Sequence, residues 1–383
     1  MKKICYITTI PGTIRTFILD LARYLKREKK YDITFICDYD ADFARSISGE
    51  FNYIPVKMSR GIDLNCMKTI LQLRRIFKKQ HFDYIQYSTP NASFYSAVAL
   101  WGINDAVKLY AQWGIRYVGA PGFGRLILKQ FEKITCRLTP NVRAVSKKNM
   151  AFGIKEKLYS VDKVKVIGNG GTIGVDMSVF DISRKDEFNK QIRNEYKIKD
   201  DCFVFGFIGR ASRDKGINEL LAAYKHLHDM GYNSKLILVG TFEYSGELRA
   251  ELLSWAEECN DVIIAGRFPR EEVPKFYAAF DCYVHPTYRE GFGMVLQEAG
   301  AMGNAIITTD IPGASEVMEK DISCKIVSPR NSGELMAEME YMIKNRTAAE
   351  SIGQAAYART KKLYERSVMI HNIVQDIEAL LGE

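Results

Sequence analysis

The chain has 383 residues, too many for one ordinary core and enough for two domains of ordinary size. Hydrophobic residues make up 47% and charged residues 26%, and no apolar run approaches the ~20 residues of a membrane-spanning helix, which argues against a disordered chain and a transmembrane protein. The charge is unevenly divided, since residues 1–170 contain 29 Lys and Arg against 13 Asp and Glu, a net +16, whereas residues 171–383 carry a net −8.

The first residues predict a strand and not a targeting signal, because the run from Ile4 to Ile10 is too short and too β-branched for the apolar region of a signal peptide. The eight cysteines are scattered singly, without the spacing of a metal site or a redox motif, and the five histidines form no metal-ligand pattern. We therefore expect a cytoplasmic protein with reduced cysteines, no metal and no bound cofactor.

Basic clusters at residues 26–30, 74–79 and 147–148 lie in or beside predicted amphipathic helices of the first half. Lys and Arg placed there would attract anionic lipid headgroups or a phosphorylated acceptor. The alternative is an ordinary solvated basic surface. No nucleic-acid partner is expected, and the hypothesis is a protein on the inner face of the plasma membrane that does not cross it.

Along the chain, the first half alternates short β-branched runs with longer helical patterns, which is typical of a parallel sheet covered by helices. The predicted strands are Lys3–Thr9, Asp32–Cys37, Tyr53–Val56, Tyr84–Gln86, Val107–Tyr110 and Val142–Val145. The predicted helices are Ile14–Arg27, Asn65–Gln80 and Gly124–Arg137. A last strand then runs into the glycine-rich segment 168–171, followed by a highly charged stretch to Lys199.

The second half restarts the same alternation. Its predicted strands are Phe203–Ile208, Lys235–Val239, Val262–Ala265, Cys282–His285 and Ala305–Thr308. Its predicted helices are Asn218–Met230, Glu247–Glu258, Glu272–Phe280 and Val295–Met302, with a helical region from Ser332 onward. We predict an α/β fold with two Rossmann-like doubly wound domains, 1–180 and 181–360, facing each other across a cleft. A C-terminal helix in 361–383 is expected to pack back toward the first domain.

Ligands bind sheets of this kind at the carboxyl ends of the strands, so the loops that follow strands are the candidate sites. One such loop runs from Gly209 to Gly216, where Arg210 and Lys215 share a strand-to-helix turn. A guanidinium and an ammonium can both reach a diphosphate and stabilise the charge that grows on it as a leaving group. The alternative is an ordinary exposed loop.

A second loop lies between the strand that ends at His285 and the helix that begins near Val295. Glycines 291 and 293 let the backbone approach a ligand, and amides at the helix start can face an anion or sugar hydroxyls. Glu290 precedes the turn and Glu298 lies on the helix after it, so the two carboxylates can bind different parts of one elongated molecule. Taken alone, such a pair is also compatible with solvated surface charges.

A third strand-to-helix turn contains Gly12, between Pro11 and Thr13. It could present backbone amides to the same diphosphate, although a glycine there can serve turn geometry alone.

The order of these motifs resembles family 4 of the retaining glycosyltransferases, which have the GT-B fold. The resemblance rests on Gly209-Arg210 with Lys215-Gly216, on Glu290-Gly291-Phe292-Gly293 with a second glutamate at 298, and on the strand ending in His285-Pro286. It is specific over roughly residues 164–320 and looser in the N-terminal half. Among relatives, the sequence of Gln112–Tyr117 is similar to that of bacterial capsule and exopolysaccharide enzymes that extend a lipid-diphosphate-linked sugar.

The resemblance implies roles for individual residues. Arg210 and Lys215 would bind the donor diphosphate next to Gly209, Glu290 would hold the donor sugar, and Glu298 would bind the ribose of a nucleotide sugar, preferably a UDP-sugar. The amides that help Glu290 would be those of Gly291, Phe292, Gly293, Met294 and Val295. The family needs no metal and retains the anomeric configuration.

Trp113 departs from the family pattern, because many relatives have a histidine near this position. Trp113 could pack in the core or line the acceptor site, where Arg116 and Arg125 could bind a phosphorylated acceptor.

Two other functions stay open. One is a catalytically silent GT-B scaffold or glycan-binding protein, which would be expected to lose the cations or Glu290. The other is a nucleotide-sugar epimerase, which would need more histidines near the donor.

Overall fold

The computed structural model describes residues 1–58, 66–103, 105–119, 122–243 and 248–383. They form two compact units: unit 1 contains Met1–Ile173 and Met369–Glu383, and unit 2 contains Gly174–Val368. The sequence analysis placed its divisions after residues 180 and 360. The predicted helix starts at Asn65 and Glu247 lie outside the described residues.

Unit 1 is built on a parallel sheet of seven strands in the described chain, in the order β3-β2-β1-β4-β5-β6-β7. The strands are β1 Lys3–Ile7, β2 Asp32–Cys37, β3 Asn52–Pro55, β4 Tyr84–Ser88, β5 Val107–Gln112, β6 Asn141–Ala144 and β7 Val164–Lys165. The helices are α1 Pro11–Phe17, α2 Leu19–Lys29, α3 Ala41–Ser46, α4 Cys66–Lys79, α5 Pro90–Ala99, α6 Gly122–Leu138 and α7 Lys147–Lys155.

Unit 2 contains six parallel strands among its described residues, in the order β10-β9-β8-β11-β12-β13. They are β8 Phe203–Ile208, β9 Ser234–Val239, β10 Val262–Gly266, β11 Cys282–His285, β12 Ala305–Thr309 and β13 Lys325–Val327. Its helices are α8 Lys185–Glu195, α9 Ile217–Asp229, α10 Ala250–Glu258, α11 Val273–Ala279, α12 Met294–Ala301, α13 Ser332–Lys344 and α14 Arg346–Leu363. The last helix, α15 Arg366–Leu381, begins in unit 2 and continues in unit 1.

The central strands are covered on both faces, which explains why most of their residues are apolar. Every residue of β4, β8, β11 and β12 is buried. A parallel sheet with helices on both sides leaves no face for polar residues, so such strands show no alternation. The alternation of strand and helix therefore predicts the α/β class, and the class is confirmed.

The strand order reverses once in each sheet, between β1 and β4 in unit 1 and between β8 and β11 in unit 2. At such a point the loops after the two central strands leave on opposite faces of the sheet and open a crevice at its carboxyl edge. In unit 2 the loops after β8 and β11 are the two segments that the sequence analysis singled out.

Some helices differ from their predicted form for identifiable reasons. The pattern of Ile14–Arg27 is divided into α1 and α2 at Ile18, which lies between the two helices with φ −128°. Helix α5 was missed because seven of its ten residues are buried, so it lacks an amphipathic period. Helix α8 lies in the highly charged stretch that ends at Lys199, for which no helix was predicted, and it buries Phe188 and Ile192.

The C-terminal segment is anchored in unit 1 by a buried ion pair. Asp376 of α15 is 7% exposed and accepts hydrogen bonds from the Arg143 guanidinium of β6. Tyr31 and Lys29 pair with Glu383 and Glu378 in the same segment. These contacts explain why the chain from Met369 onward belongs to unit 1.

A buried carboxyl joins α6 to β5. Glu132 accepts hydrogen bonds from Tyr110 Oη at 2.9 Å and from Gln112 Nε2 at 2.5 Å, and Tyr159 Oη donates to Gln112 Oε1 at 3.0 Å. Burial raises the pKa of Glu132 to about 7, against the two hydrogen bonds, which lower it. The folded protein therefore keeps a proton that the unfolded chain loses at lower pH.

Replacing Glu132 with glutamine should stabilise the protein at alkaline pH. The unfolded carboxyl titrates near ~4.3, so wild-type stability falls as the pH rises from there through about 7. Glu132→Gln keeps both accepted hydrogen bonds without the charge, and we expect it to raise the free energy of unfolding at pH 8 by on the order of 1–3 kcal/mol, with little change at pH 4.5.

Urea unfolding at the two pH values measures this difference. Glu156→Gln is the control, because the hydrogen bond from Lys129 lowers the pKa of Glu156. Losing the Glu156 carboxylate should therefore destabilise the protein at pH 8. Equal unfolding curves for Glu132→Gln and wild type at pH 8 would show that Glu132 stays ionised without penalty.

Candidate functional site

Hydrogen bonds join the loops after β8 and β11. The amide of Tyr288 donates to the Asp214 carbonyl at 2.8 Å, and Thr287 Oγ1 donates to the same oxygen at 3.2 Å. Gly216 has φ +73°, and a Cβ on it would lie 2.0 Å from the Pro286 carbonyl oxygen. Only glycine permits this approach, so Gly216 fixes the distance between the two loops.

Lys215 and Glu290 meet where the loops converge. Lys215 Nζ lies 2.7 Å from Glu290 Oε2, and His285 Nε2 lies 3.1 Å from the same oxygen. Glu290 Oε1 accepts from the amide of Gly291 at 3.0 Å. The carboxylate is therefore held by three donors from two loops and one strand end.

The charges in this cluster are strongly coupled. Burial would raise the pKa of Glu290, but the hydrogen bond from His285 and the positive charge of Lys215 together hold it far below its usual range. Burial is also the main reason why the pKa of His285 is lowered, and the charge of Lys215 acts in the same direction. At neutral pH the cluster consists of an ammonium, a carboxylate and an uncharged imidazole.

Sequence reasoning assigned no role to His285. The signal that could have found it is its place as the last residue of β11, beside the switch point and five residues before Glu290. Strand ends at a switch point face the ligand crevice, so a titratable residue there is a candidate.

Arg210 lies on the same loop as Lys215 but in a different environment. Its side chain is 52% exposed, it pairs with Glu243, and its Nη2 lies 3.8 Å from Asp214 Oδ2. Asp214 also pairs with Arg289 at 3.2 Å. A diphosphate would have to replace these carboxylates as the partner of Arg210, whereas Lys215 points at Glu290.

Glu298 is held separately from Glu290. Its Oε2 accepts from Tyr277 Oη at 3.2 Å, and its Oε1 lies 3.7 Å from Arg270 Nη2. Burial raises the pKa of Glu298, and Arg270 opposes this shift. The two predicted carboxylates thus have different partners and opposite pKa shifts.

Glu298 lines a cavity of about 590 Å³ in unit 2. The other lining residues are Phe180, Ile208, Arg267, Phe268, Pro269, Arg270 and Val273. Rings and aliphatic side chains beside two guanidinium groups and a carboxylate suit a nucleoside, which has an apolar face and polar edges. Sequence reasoning missed the segment 267–270, although it follows strand β10 directly.

The loop from Gly291 to Val295 leads into α12, whose first residue is Met294. Phe292 is buried against Tyr364, with ring centroids 5.6 Å apart, so its side chain supports the loop. Gly293 has φ +36° at the N-cap, and a Cβ on Gly313 would lie 2.2 Å from the Gly291 carbonyl oxygen. The amide of Gly291, which is among those predicted to contact the donor sugar, donates to Glu290.

In unit 1, the predicted residues spread over the carboxyl edge of the sheet and the helix beyond it. Gly12 is in the first turn of α1, where a Cβ would meet nothing within 4 Å, so the fold of this turn does not require a glycine. Trp113 follows β5 and packs on Phe17, with centroids 5.0 Å apart. Arg116 Nη1 donates to Asn91 Oδ1 at 3.2 Å, and Arg125 is exposed on α6.

The described residues contain neither a helix suited to crossing a membrane nor a cluster of metal ligands. No helix there is both long and apolar enough to cross a membrane. No group of three His, Cys, Asp or Glu side chains in the same ranges could hold a metal ion. The independence from metal and cofactor stays a prediction.

Two family descriptions match the chain. Residues 188–359 match the family described as Glycosyl transferases group 1, and residues 3–146 match the one described as Glycosyl transferase 4-like. The matches fall in unit 2 and unit 1 respectively.

Individual proteins are similar over most of the chain. The capsular polysaccharide biosynthesis glycosyltransferase CapM of Staphylococcus aureus is 26% identical over 93% of this chain and 92% of its own. The UDP-Gal:alpha-D-GlcNAc-diphosphoundecaprenol alpha-1,3-galactosyltransferase of Escherichia coli is 23% identical over 74% of this chain and 73% of its own. The crystal structure of Anabaena Alr3699/HepE in complex with UDP superposes with a TM-score of 0.79 at 19% identity, over 99% of this chain and 100% of that one.

Proposed function

Because the chain belongs to the glycosyltransferases of this group and has the GT-B fold, we propose that it moves a hexose or N-acetylhexosamine from a nucleotide-diphosphate sugar, preferably a UDP-sugar, to a glycan acceptor. The acceptor is linked to a lipid diphosphate, and the reaction serves bacterial capsule or exopolysaccharide synthesis. The observation that carries the proposal is the Lys215–Glu290 pair at 2.7 Å, at the point where the two donor loops converge.

In this proposal the donor lies along unit 2 with its nucleoside in the cavity beside Glu298 and its sugar at Glu290. Carboxylates accept hydrogen bonds from vicinal hydroxyls, of the ribose at Glu298 and of the sugar at Glu290. The diphosphate lies between them. Lys215 exchanges its contact with Glu290 for one with the diphosphate, and Arg210 does the same with its contact to Glu243. Both cations stabilise the charge that develops as the glycosidic bond breaks, without a metal.

The reaction retains the anomeric configuration. The acceptor hydroxyl attacks C1 of the donor sugar on the face from which the diphosphate departs, and its proton passes to the departing phosphate oxygen. Neither glutamate acts as acid or base. This fits Glu290, whose low pKa leaves it unprotonated and able only to accept hydrogen bonds.

The names of similar proteins support the choice of donor and acceptor. One relative carries UDP-Gal and a diphosphoundecaprenol-linked acceptor in its name, and one structural neighbour contains UDP. Thermal-shift measurement with UDP and GDP, followed by their hexose conjugates, tests the donor. We expect stabilisation by UDP and its sugars, and a larger shift with GDP would move the donor preference to GDP-sugars.

The membrane part of the proposal rests on two amphipathic helices of unit 1. Helix α4 contains no acidic residue, and the one acidic residue of α6, Glu132, is buried. Met67 and Leu71 of α4 and Phe123 and Leu126 of α6 are exposed, Phe123 to 74%. Exposed apolar and cationic side chains without acidic neighbours on the same helix suit an anionic bilayer surface of the cytoplasm.

Neutralising Arg75, Lys78 and Lys79 of α4 should weaken binding to vesicles containing anionic lipid by on the order of 100-fold, since each basic residue near such a surface contributes about 1 kcal/mol. Arg74 is spared because it donates to the carbonyls of Ala99 and Trp101 at the end of α5. Vesicle sedimentation measures the change.

The matched control neutralises Lys320, Lys361 and Lys362, three exposed lysines of unit 2. It should leave vesicle binding as in wild type, and both triple variants should keep donor hydrolysis. Equal vesicle binding by the α4 variant and wild type would show that α4 does not contribute to membrane binding.

A further inference from the structure

In the cluster of Lys215, Glu290 and His285, the histidine is the member without an assigned role. It ends β11, is 1% exposed, and its ring is nearly parallel to those of Phe207, with centroids 6.3 Å apart at 18°, and Tyr283, with centroids 5.9 Å apart at 17°. Both ring nitrogens have polar side-chain partners.

Those partners define which nitrogen carries the hydrogen. His285 Nε2 lies 3.1 Å from Glu290 Oε2, and Nδ1 lies 3.3 Å from Tyr283 Oη. Glu290 is ionised and can only accept hydrogen bonds. An unprotonated Nε2 would therefore face the Glu290 oxygen as a second acceptor, with no hydrogen between them. Burial raises the pKa of the Tyr283 phenol, so this group keeps its one hydrogen, which can be donated to Nδ1 or to the carbonyl of Ile208 at 3.2 Å. Because the ring is neutral and the Glu290 carboxylate needs a donor, the hydrogen lies on Nε2 and Nδ1 is bare.

Tyr283 ties this arrangement to the other donor loop. Its hydroxyl also lies 3.2 Å from the carbonyl of Ile208, the last residue of β8 and the one before Gly209. A continuous set of polar contacts thus runs from Glu290 through His285 and Tyr283 to the start of the loop that contains Lys215. The contacts after Glu290 are buried, and solvent does not compete with them.

Lys215 and His285 differ in what happens when a donor binds. In the proposed function Lys215 transfers its contact from Glu290 to the diphosphate, whereas the His285 ring is buried and has polar partners at both nitrogens. His285 then remains as the side-chain donor that holds Glu290 Oε2.

We infer that His285 is a positioning residue, whose Nε2–H holds the Glu290 carboxylate in the orientation that receives the donor sugar. The inference rests on the proposed function for its consequence in catalysis, and on the contacts of the unliganded protein for its geometry. It concerns binding of the sugar and not of the nucleoside diphosphate.

The geometry is tested by nitrogen-15 NMR of the full chain labelled at histidine. The chain has five histidines, and a His285→Gln sample identifies the signal of His285. At pH 7.5 we expect a neutral ring protonated on Nε2. A ring protonated on Nδ1, or on both nitrogens, would overturn the inference whether or not the wild type transfers sugar.

The consequence is tested by comparing His285→Leu with His285→Gln, in which the amide nitrogen can replace Nε2–H. Loss of a hydrogen bond to a charged group should weaken UDP-glucose binding by about 10- to 100-fold in His285→Leu, with UDP binding close to wild type. His285→Gln should recover most of the lost affinity. Calorimetry with UDP and UDP-glucose separates the two ligands.

Equal losses for UDP and UDP-glucose in His285→Leu would indicate that the ring only supports the packing of β11, and would overturn the positioning role. Wild-type binding of UDP-glucose by His285→Leu would overturn it as well. If the wild type binds neither ligand while the NMR result stands, the donor assignment fails and the geometry of His285 does not.

Discussion

Lys215→Ala should lower the rate constant of glycosyl transfer by about 10²- to 10³-fold, the usual cost of removing one charge-stabilising donor from a transition state. Lys215 is the cation at the meeting point of the two donor loops, and its contact with Glu290 places it beside the proposed position of the diphosphate. Initial rates at saturating donor measure the loss. The affinity for UDP should fall less than the rate constant, because the charge on the leaving group grows in the transition state.

Arg213→Ala is the matched control for this variant. Arg213 is exposed, lies on the same one-turn segment, Arg213–Lys215, and carries the same positive charge as Lys215. Its removal should leave the transfer rate near wild type. Equal rates for Lys215→Ala and wild type would contradict the role of Lys215, and equal losses in both variants would point to a general electrostatic effect of the loop.

Glu290→Ala should abolish measurable transfer and weaken the binding of UDP-sugars far more than that of UDP. The variant removes the acceptor of the sugar hydroxyls and leaves His285 and Lys215 without their shared partner. Because the folded pKa of Glu290 lies far below its usual value, the carboxylate stabilises the fold above the unfolded pKa of ~4.3. The accompanying loss of stability, on the order of 1–3 kcal/mol, should therefore be the same at pH 6 and pH 8.

Glu272→Ala supplies the control, since Glu272 is an exposed carboxylate of unit 2 paired with Lys275. It should bind and transfer as wild type does. Transfer by Glu290→Ala at the wild-type rate would contradict the assignment of the sugar to this residue. A stability loss that vanishes at pH 6 would contradict the low pKa.

The fold could be predicted from the sequence because its signals are local. Strands Asp32–Cys37, Phe203–Ile208 and Cys282–His285 have the predicted bounds, since each is a short buried run with a turn residue after it. The division between the units depends instead on distant contacts. Asp376 meets Arg143, and Val175 donates its amide to the carbonyl of Tyr364, and no local pattern contains either pair.

Of the residues in the proposed donor site, the charged ones could be singled out from the sequence and the neutral ones could not. Lys215 and Glu290 stand out because charges beside glycines after a strand suggest an anion or sugar site. His285 is a lone histidine in an apolar strand, and its role depends on its contacts with Glu290 and Tyr283. The cavity at 267–270 depends on Phe180, which lies more than 80 residues earlier. Such contacts follow from packing in three dimensions.

The most direct test of the donor site is transfer of labelled hexose from UDP-hexose to a lipid-diphosphate sugar by the wild type and by Lys215→Ala in the presence of a chelator. We predict a product with the donor's anomeric configuration for the wild type, formed without added metal, and a loss of about 10²-fold or more for the variant. Transfer with inverted configuration would contradict the proposed mechanism. No transfer from any UDP- or GDP-sugar by a protein that remains folded would contradict the proposed function itself.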